Sequence, residues 1–130
     1  MNEIELKQHT KTFSLRGLKL IDSLPESRPG WIVANQLGRS GTSVGANYRA
    51  ACRSRSQAEM ISKLSIVEEE ADESGFWLEW VEEHGLKTKR HVGALPKEAN
   101  ELTAMRVASR RTLQRGVAQS KIQNQKSKIK

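Results

Sequence analysis

The chain has 130 residues, 36% of them hydrophobic, and a formal net charge of +7, with a mean hydropathy of -0.64. That length suits one domain burying about two-thirds of its unfolded surface, and a lone Cys52 excludes an intrachain disulfide. No apolar run approaches the roughly 20 residues needed to cross a bilayer, and the Met-Asn-Glu-Ile-Glu opening has neither basic leader nor apolar core, so a cytoplasmic setting without membrane contact is expected.

A first helix is predicted from near Leu6 to Leu24, because Leu6, Phe13, Leu20, Ile21 and Leu24 share one side at helical spacing. Pro25, Ser27 and Pro29-Gly30 are expected to end it. A second helix is predicted from Trp31 to about Ser54, with Val33, Leu37, Ser40, Gly41, Val44, Tyr48 and Ala51 on a partly small inner side. Each interior glycine costs about 1 kcal/mol relative to alanine, so Gly41 and Gly45 imply a close helix contact.

The third segment, Ser56 to His84, has no proline and one glycine. Met60, Leu64, Val67, Ala71, Ser74, Leu78 and Val81 alternate spacings of four and three, which keeps them on one narrow helical stripe. Ser56 is the expected N-cap, with Glu59 completing a capping box. A helix of this length extends roughly 40 Å and needs partners of similar length beside it. After a loop at His84-Gly85, Leu95-Pro96 opens a fourth helix with Ala99, Leu102, Met105, Ser109 and Leu113 inward. The pattern fades from about Gly116 into a polar basic stretch that cannot bury enough apolar surface to order itself. The expected fold is all-α, an antiparallel up-down four-helix bundle over residues 1–117 with a disordered or frayed basic tail over 118–130.

Charge is unevenly spread. Arg28 to Ser56 contains Arg28, Arg39, Arg49, Arg53 and Arg55 and no acid, whereas Gln57 to His84 sets nine carboxylates against Lys63 alone. Pairing between these two segments is one explanation, and an anionic partner is the other.

Chemistry-bearing constellations are absent from the pattern. Di-iron bundles use Glu-x-x-His pairs, but Leu6, Val81 and Thr88 stand three positions before His9, His84 and His91. The run Glu68-Glu69-Glu70-Ala71-Asp72-Glu73 wraps around its helix instead of converging, so no metal ligands are assigned. No arginine precedes a histidine at the spacing used by bundle ribonucleases, and Cys52 has no histidine nearby in sequence. Gly38-Arg39-Ser40-Gly41-Thr42-Ser43 lacks the lysine of a phosphate-binding loop. No catalytic residue and no cofactor follow, and a non-enzymatic protein is expected.

Two outward features remain. Ile66, Trp77 and Trp80, with Phe76 beyond them, fall away from the Leu64/Ala71/Leu78 stripe and form a second apolar strip. An oligomer interface is the expected use, aromatic residues being enriched there. The other feature is exterior arginine: Arg39, Arg49 and Arg53 on the second helix and Arg110, Arg111 and Arg115 on the fourth. Guanidinium forks suit phosphate oxygens, so these are the candidate contacts to RNA or DNA, with pairing to the acidic third helix as the alternative.

The stretch Gln36-Leu37-Gly38-Arg39-Ser40-Gly41-Thr42-Ser43-Val44-Gly45-Ala46-Asn47-Tyr48-Arg49-Ala50 resembles the small bundle proteins encoded within intervening sequences of bacterial large-subunit ribosomal RNA genes. So do Ser62-Lys63-Leu64-Ser65-Ile66-Val67-Glu68-Glu69-Glu70-Ala71-Asp72-Glu73-Ser74 and Trp77-Leu78. The resemblance covers about Phe13 to Leu113 and implies an antiparallel bundle assembled as a ring, typically a homo-pentamer, with no enzymatic motif to transfer. That family is distantly similar to the accessory protein of diversity-generating retroelements, which implies nucleic acid, a reverse transcriptase or another protein as partners. Asn47 matches the helix-two asparagine of the family pattern, and its place at the edge of the buried stripe predicts a structural amide bonded between helices.

Overall fold

A computed structural model describes residues 2–104, 115, 116 and 122. Its elements are α1 (Glu3–Asp22), α2 (Arg28–Cys52), α3 (Gln57–Glu83), the single turn α4 (Lys89–Val92) and α5, which begins at residue 95 and is described to 104. No strand occurs among the described residues. Apart from Ile122, which is helical and exposed, the expected tail lies outside them, as do the inward positions Met105, Ser109 and Leu113.

Short polar side chains open each long helix by taking up a backbone N–H that the first turn leaves without a partner. The N–H of Glu5 donates to Asn2 Oδ1 at 2.9 Å, that of Gly30 to Ser27 Oγ at 3.1 Å, and that of Glu59 to Ser56 Oγ at 3.1 Å. The Glu59 carboxylate also accepts from the backbone N–H of Arg55 at 3.2 Å. Pro29-Gly30, expected to close the first helix, instead belongs to the first turn of α2. The fixed φ of proline suits that turn, where its missing N–H is not needed. A Cβ on Gly30 would come within 2.1 Å of the Pro25 carbonyl oxygen, so this tight entry requires glycine. Thr88 caps α4 in the region expected to be loop.

The apolar stripes meet in one core. Leu6, Phe13 and Leu20 of α1, Val33, Leu37, Val44 and Tyr48 of α2, Leu64, Val67, Ala71, Leu78 and Val81 of α3, and Leu95, Ala99 and Leu102 of α5 are buried together. Ile21, Leu24 and Met60 pack at its edge.

Neighbouring helices run antiparallel. Arg39 meets Glu70 and Glu73, and Ser40 Oγ lies 3.0 Å from Ser74 Oγ, while Arg53 shares a cleft with Lys63. Ile21 lies beside Gly38, and Lys7 lines one cleft with Arg49. Glu98 of α5 pairs with Arg16, and Ala99 abuts the backbone of Gly75. α2 therefore occupies a corner, packed against α1 on one side and α3 on the other.

Close approach of α1 to α2 depends on Gly45, whose added Cβ would stand 3.0 Å from Ser14 Oγ and 3.4 Å from the Thr10 carbonyl. Gly41, expected to share that role, would meet nothing within 4 Å. Its carbonyl instead accepts the Ser14 hydroxyl at 2.6 Å.

Candidate nucleic-acid interface

Where Gly45 lets α1 and α2 approach, an open cleft of about 400 Å³ follows the exterior of their contact. Lys7 and Lys11, one turn apart on α1, line it with Arg49 of α2 and Arg53, four residues on at the C-cap of α2. A second cleft of about 540 Å³ runs along the other flank of α2, lined by Arg49, Arg53, Arg55 and Lys63 with Glu59. Ala46, Arg49 and Arg53 belong to both clefts and form the crest between them.

Among the described residues most of these cations enter no ion pair with a carboxylate. Lys7 makes a 3.8 Å pair with Glu3 in its own helix, whereas Lys11, Arg49, Arg53, Arg55 and Lys63 enter no ion pair among the described residues. Among those residues Glu59 is the lone acid lining either cleft, and its carboxylate is held by the backbone of Arg55. The result is a concentrated positive field along one end of α2, the electrostatic footprint that attracts polyanions.

Arg49 and Arg53 thus stand where the helical periodicity put them, on an exterior face. Arg39 is engaged elsewhere: its guanidinium reaches Glu70 at 3.2 Å and also pairs with Glu73. Hydrogen bonds to Glu73 and then Glu70 hold its pKa above the ordinary arginine value. The charge attraction between the second and third helices is real at this point, and it withdraws Arg39 from the phosphate-binding candidates. Arg110 and Arg111 lie outside the described residues, while Arg115 is helical and exposed.

Sequence reasoning missed Lys7, Lys11, Arg55 and Lys63. The i, i+4 spacing of Lys7 and Lys11 was visible, but which helix face they share with Arg49 depends on the pairing register.

The aromatic strip is only partly as expected. Phe76 and Trp80 are 48% and 47% exposed. Trp77 instead packs against the core, and its Nε1 is buried without a hydrogen-bond partner among the described residues. Its place next to Leu78, on the flank of the buried stripe, carries its large ring inward. Ile66 is likewise half-buried. The three rings form one cluster, with centroids 5.0 Å apart for Phe76–Trp77, 6.2 Å for Phe76–Trp80 and 6.3 Å for Trp77–Trp80. Trp31 and Ile32, at the start of α2, add exposed apolar surface that spacing alone did not single out, at 58% and 57%.

Among the described residues Asn47 makes no bond between helices. Its Nδ2 donates to the Ser43 carbonyl at 2.9 Å, one turn back in α2, the local bond that a short amide readily makes. Cys52 is half-buried, and burial raises its pKa above the ordinary thiol value, which disfavours the nucleophilic thiolate. Among the described residues no three His, Cys, Asp or Glu side chains gather as a metal site requires, and no helix is long and apolar enough to cross a membrane.

Known proteins share this arrangement. The model of the 23S rRNA-intervening sequence protein family matches residues 2–108. A crystal structure of a protein of unknown function from the S23 ribosomal protein family of Bacteroides thetaiotaomicron superposes with a TM-score of 0.73 at 29% identity. The match covers 79% of this chain and 95% of that one. No curated protein matches the chain significantly.

Proposed function

The chain belongs to the 23S rRNA-intervening sequence protein family, and from that premise we propose a non-enzymatic scaffold that binds RNA or DNA through the cationic corner at the C-terminal end of α2. The observation that carries this reading is the meeting of Lys7, Lys11, Arg49, Arg53, Arg55 and Lys63 along two adjoining clefts with one carboxylate among them. Arginine and lysine at that density displace the counterions of a phosphate backbone, so affinity should fall steeply with salt. Fluorescence anisotropy with labelled RNA and DNA at about 50 mM salt tests it. Binding that weakens along a linear log–log salt plot supports the reading, and failure of both ligands to bind abolishes it.

Scaffolding also calls for assembly. Phe76 and Trp80 leave aromatic surface uncovered beside acidic residues of α3, which favours a homo-oligomer, arranged as a ring, with that surface between copies. Light scattering on the wild type and on Trp80→Glu decides the point. The wild type should exceed monomer mass at micromolar concentration and the variant should dissociate; a monomeric wild type removes assembly from the proposal. A second reading, protein-protein assembly without nucleic acid, draws on the Arg39–Glu70–Glu73 cluster, in which arginine serves carboxylates and not phosphate.

A further inference from the structure

We infer that the ligand of the cationic corner is duplex DNA, with α2 entering the major groove and one phosphate strand lying in each flanking cleft. The inference rests on the nucleic-acid reading above and narrows it to a duplex held in a stated geometry.

The shape of the corner is its first support. α2 packs against both α1 and α3, so its outer side projects as a ridge with a cleft descending on each flank. Along that ridge Thr42 and Ala46 are small and exposed, which leaves the helix slender. A helix with side chains is about 10–12 Å across, and the major groove of B-form DNA is about 12 Å wide.

The cations supply the second support, because they lie in two lines and not one. Lys7 and Lys11 stand on the α1 flank, Arg55 and Lys63 on the α3 flank, and Arg49 and Arg53 on the crest between. Packed helix axes lie about 8–10 Å apart, so the two lines are separated by a full helix. A single strand can follow only one of them. A duplex presents two strands at once and can satisfy both. On the α1 flank, Lys7 and Lys11 are four residues apart and so rise about 6 Å, close to the advance of two nucleotides at about 3.4 Å each.

A third support is what the clefts lack. Binding of unpaired bases relies on aromatic stacking platforms, and among the described residues neither lining includes an aromatic ring. The exposed rings Phe76 and Trp80 lie toward the opposite end of α3. A-form RNA fits less well, since its major groove is too deep and narrow for side chains to read. In this arrangement Lys7 exchanges Glu3 for a phosphate, Lys11, Arg55 and Lys63 hold backbone oxygens, and Arg49 and Arg53 reach into the groove.

The test uses the full chain with a 20-base-pair DNA duplex, the RNA duplex of the same sequence, and the two single strands. DNA duplex should bind at least about tenfold more tightly than either single strand or the RNA duplex, in line with a grip on a second strand. Lys7→Ala/Lys11→Ala and Arg55→Ala/Lys63→Ala should each flatten the salt slope for duplex DNA by about 2, near 0.9 for each phosphate no longer neutralised. Circular dichroism should show both variants as helical as the wild type, because these side chains lie outside the core. Single strands or duplex RNA binding as tightly as duplex DNA, or a slope that only one double variant changes, would overturn the straddled geometry while leaving nucleic-acid binding standing. If no nucleic acid binds, both fall, so the panel of four ligands tells the two failures apart.

Discussion

The two halves of α2 carry the same residue type outward and use it differently. In the N-terminal half, Arg39 faces Glu70 and Glu73 and is neutralised. In the C-terminal half, Arg49 and Arg53 share their clefts with Lys7, Lys11 and Lys63 and with one acid, Glu59, and enter no ion pair among the described residues. The antiparallel register makes this difference: the acidic middle of α3 falls beside the first half of α2, and its nearly acid-free start falls beside the second. An arginine becomes a binding residue through what the neighbouring helix brings to it.

The strongest test of that contrast removes arginine from each half in turn. Arg49→Ala/Arg53→Ala should weaken nucleic-acid binding at low salt about 100-fold, at roughly tenfold for each charge-assisted hydrogen bond removed. Arg39→Ala should stay within about twofold of wild type, since two carboxylates, Glu70 and Glu73, flank this one guanidinium and leave the cluster with a net negative charge that repels phosphate. Anisotropy titrations at one salt concentration compare the three proteins. Equal losses from both halves would erase the distinction between them.

Glycines of α2 sharpen the comparison through packing. Gly45→Val should destabilise the protein by about 1–3 kcal/mol, because a branched side chain must displace Ser14 and Thr10 where the helices already touch. It should also weaken binding, since Lys7 and Lys11 would move away from Arg49 and Arg53. At Gly38 a Cβ would sit 3.5 Å from Ile21 Cδ1, an ordinary contact, so Gly38→Ala should stabilise the protein by up to about 1 kcal/mol through helix propensity. Thermal melts of the two variants should therefore shift in opposite directions.

Much of the fold was legible because helix stripes are local. The inward positions of α2 and α3 follow from spacing alone, and every one from Val33 to Ala51 and from Leu64 to Val81 is buried. Caps were legible for the same reason, as Ser56 with Glu59 illustrates. What the spacing did not contain was register. Gly41 and Gly45 looked equivalent until α1 was laid against them, and Lys7 and Lys11 acquired significance only when opposite Arg49 and Arg53. Trp77 was misread because a flank position can turn inward or outward, and the size of its ring favours burial. Thr88 before Lys89-Arg90-His91-Val92 was a readable cap that the apolar pattern alone passed over.

Neutralising the acids that hold Arg39 should convert one half of α2 into a weaker copy of the other. Glu70→Gln/Glu73→Gln removes two negative charges from α3 and frees a guanidinium on the same exterior side of α2 as the crest. A rise in affinity of about two- to fivefold and a salt slope steeper by about 1 are expected, as for one added phosphate contact. Unchanged affinity would mean that the N-terminal half lies beyond reach of the ligand, which confines the footprint to residues after Ala46.

The smallest effect concerns Cys52, at the end of α2 and close to both Glu3 and Lys7. Burial is the largest cause holding its pKa above the ordinary value of 9.0, with Glu3 adding to it and contacts with Tyr48 and Lys7 opposing it. Alkylation by iodoacetamide at pH 7.5 should therefore be slower than for an exposed thiol and should rise toward a midpoint above pH 9.0. Glu3→Gln should shift that midpoint down and Lys7→Ala should shift it up. Because Lys7 is also a proposed phosphate contact, saturating duplex should divert its charge and raise the thiol pKa further. A ligand bound at the other half of α2 would leave the alkylation rate unchanged, so the thiol reports which end of the helix is occupied.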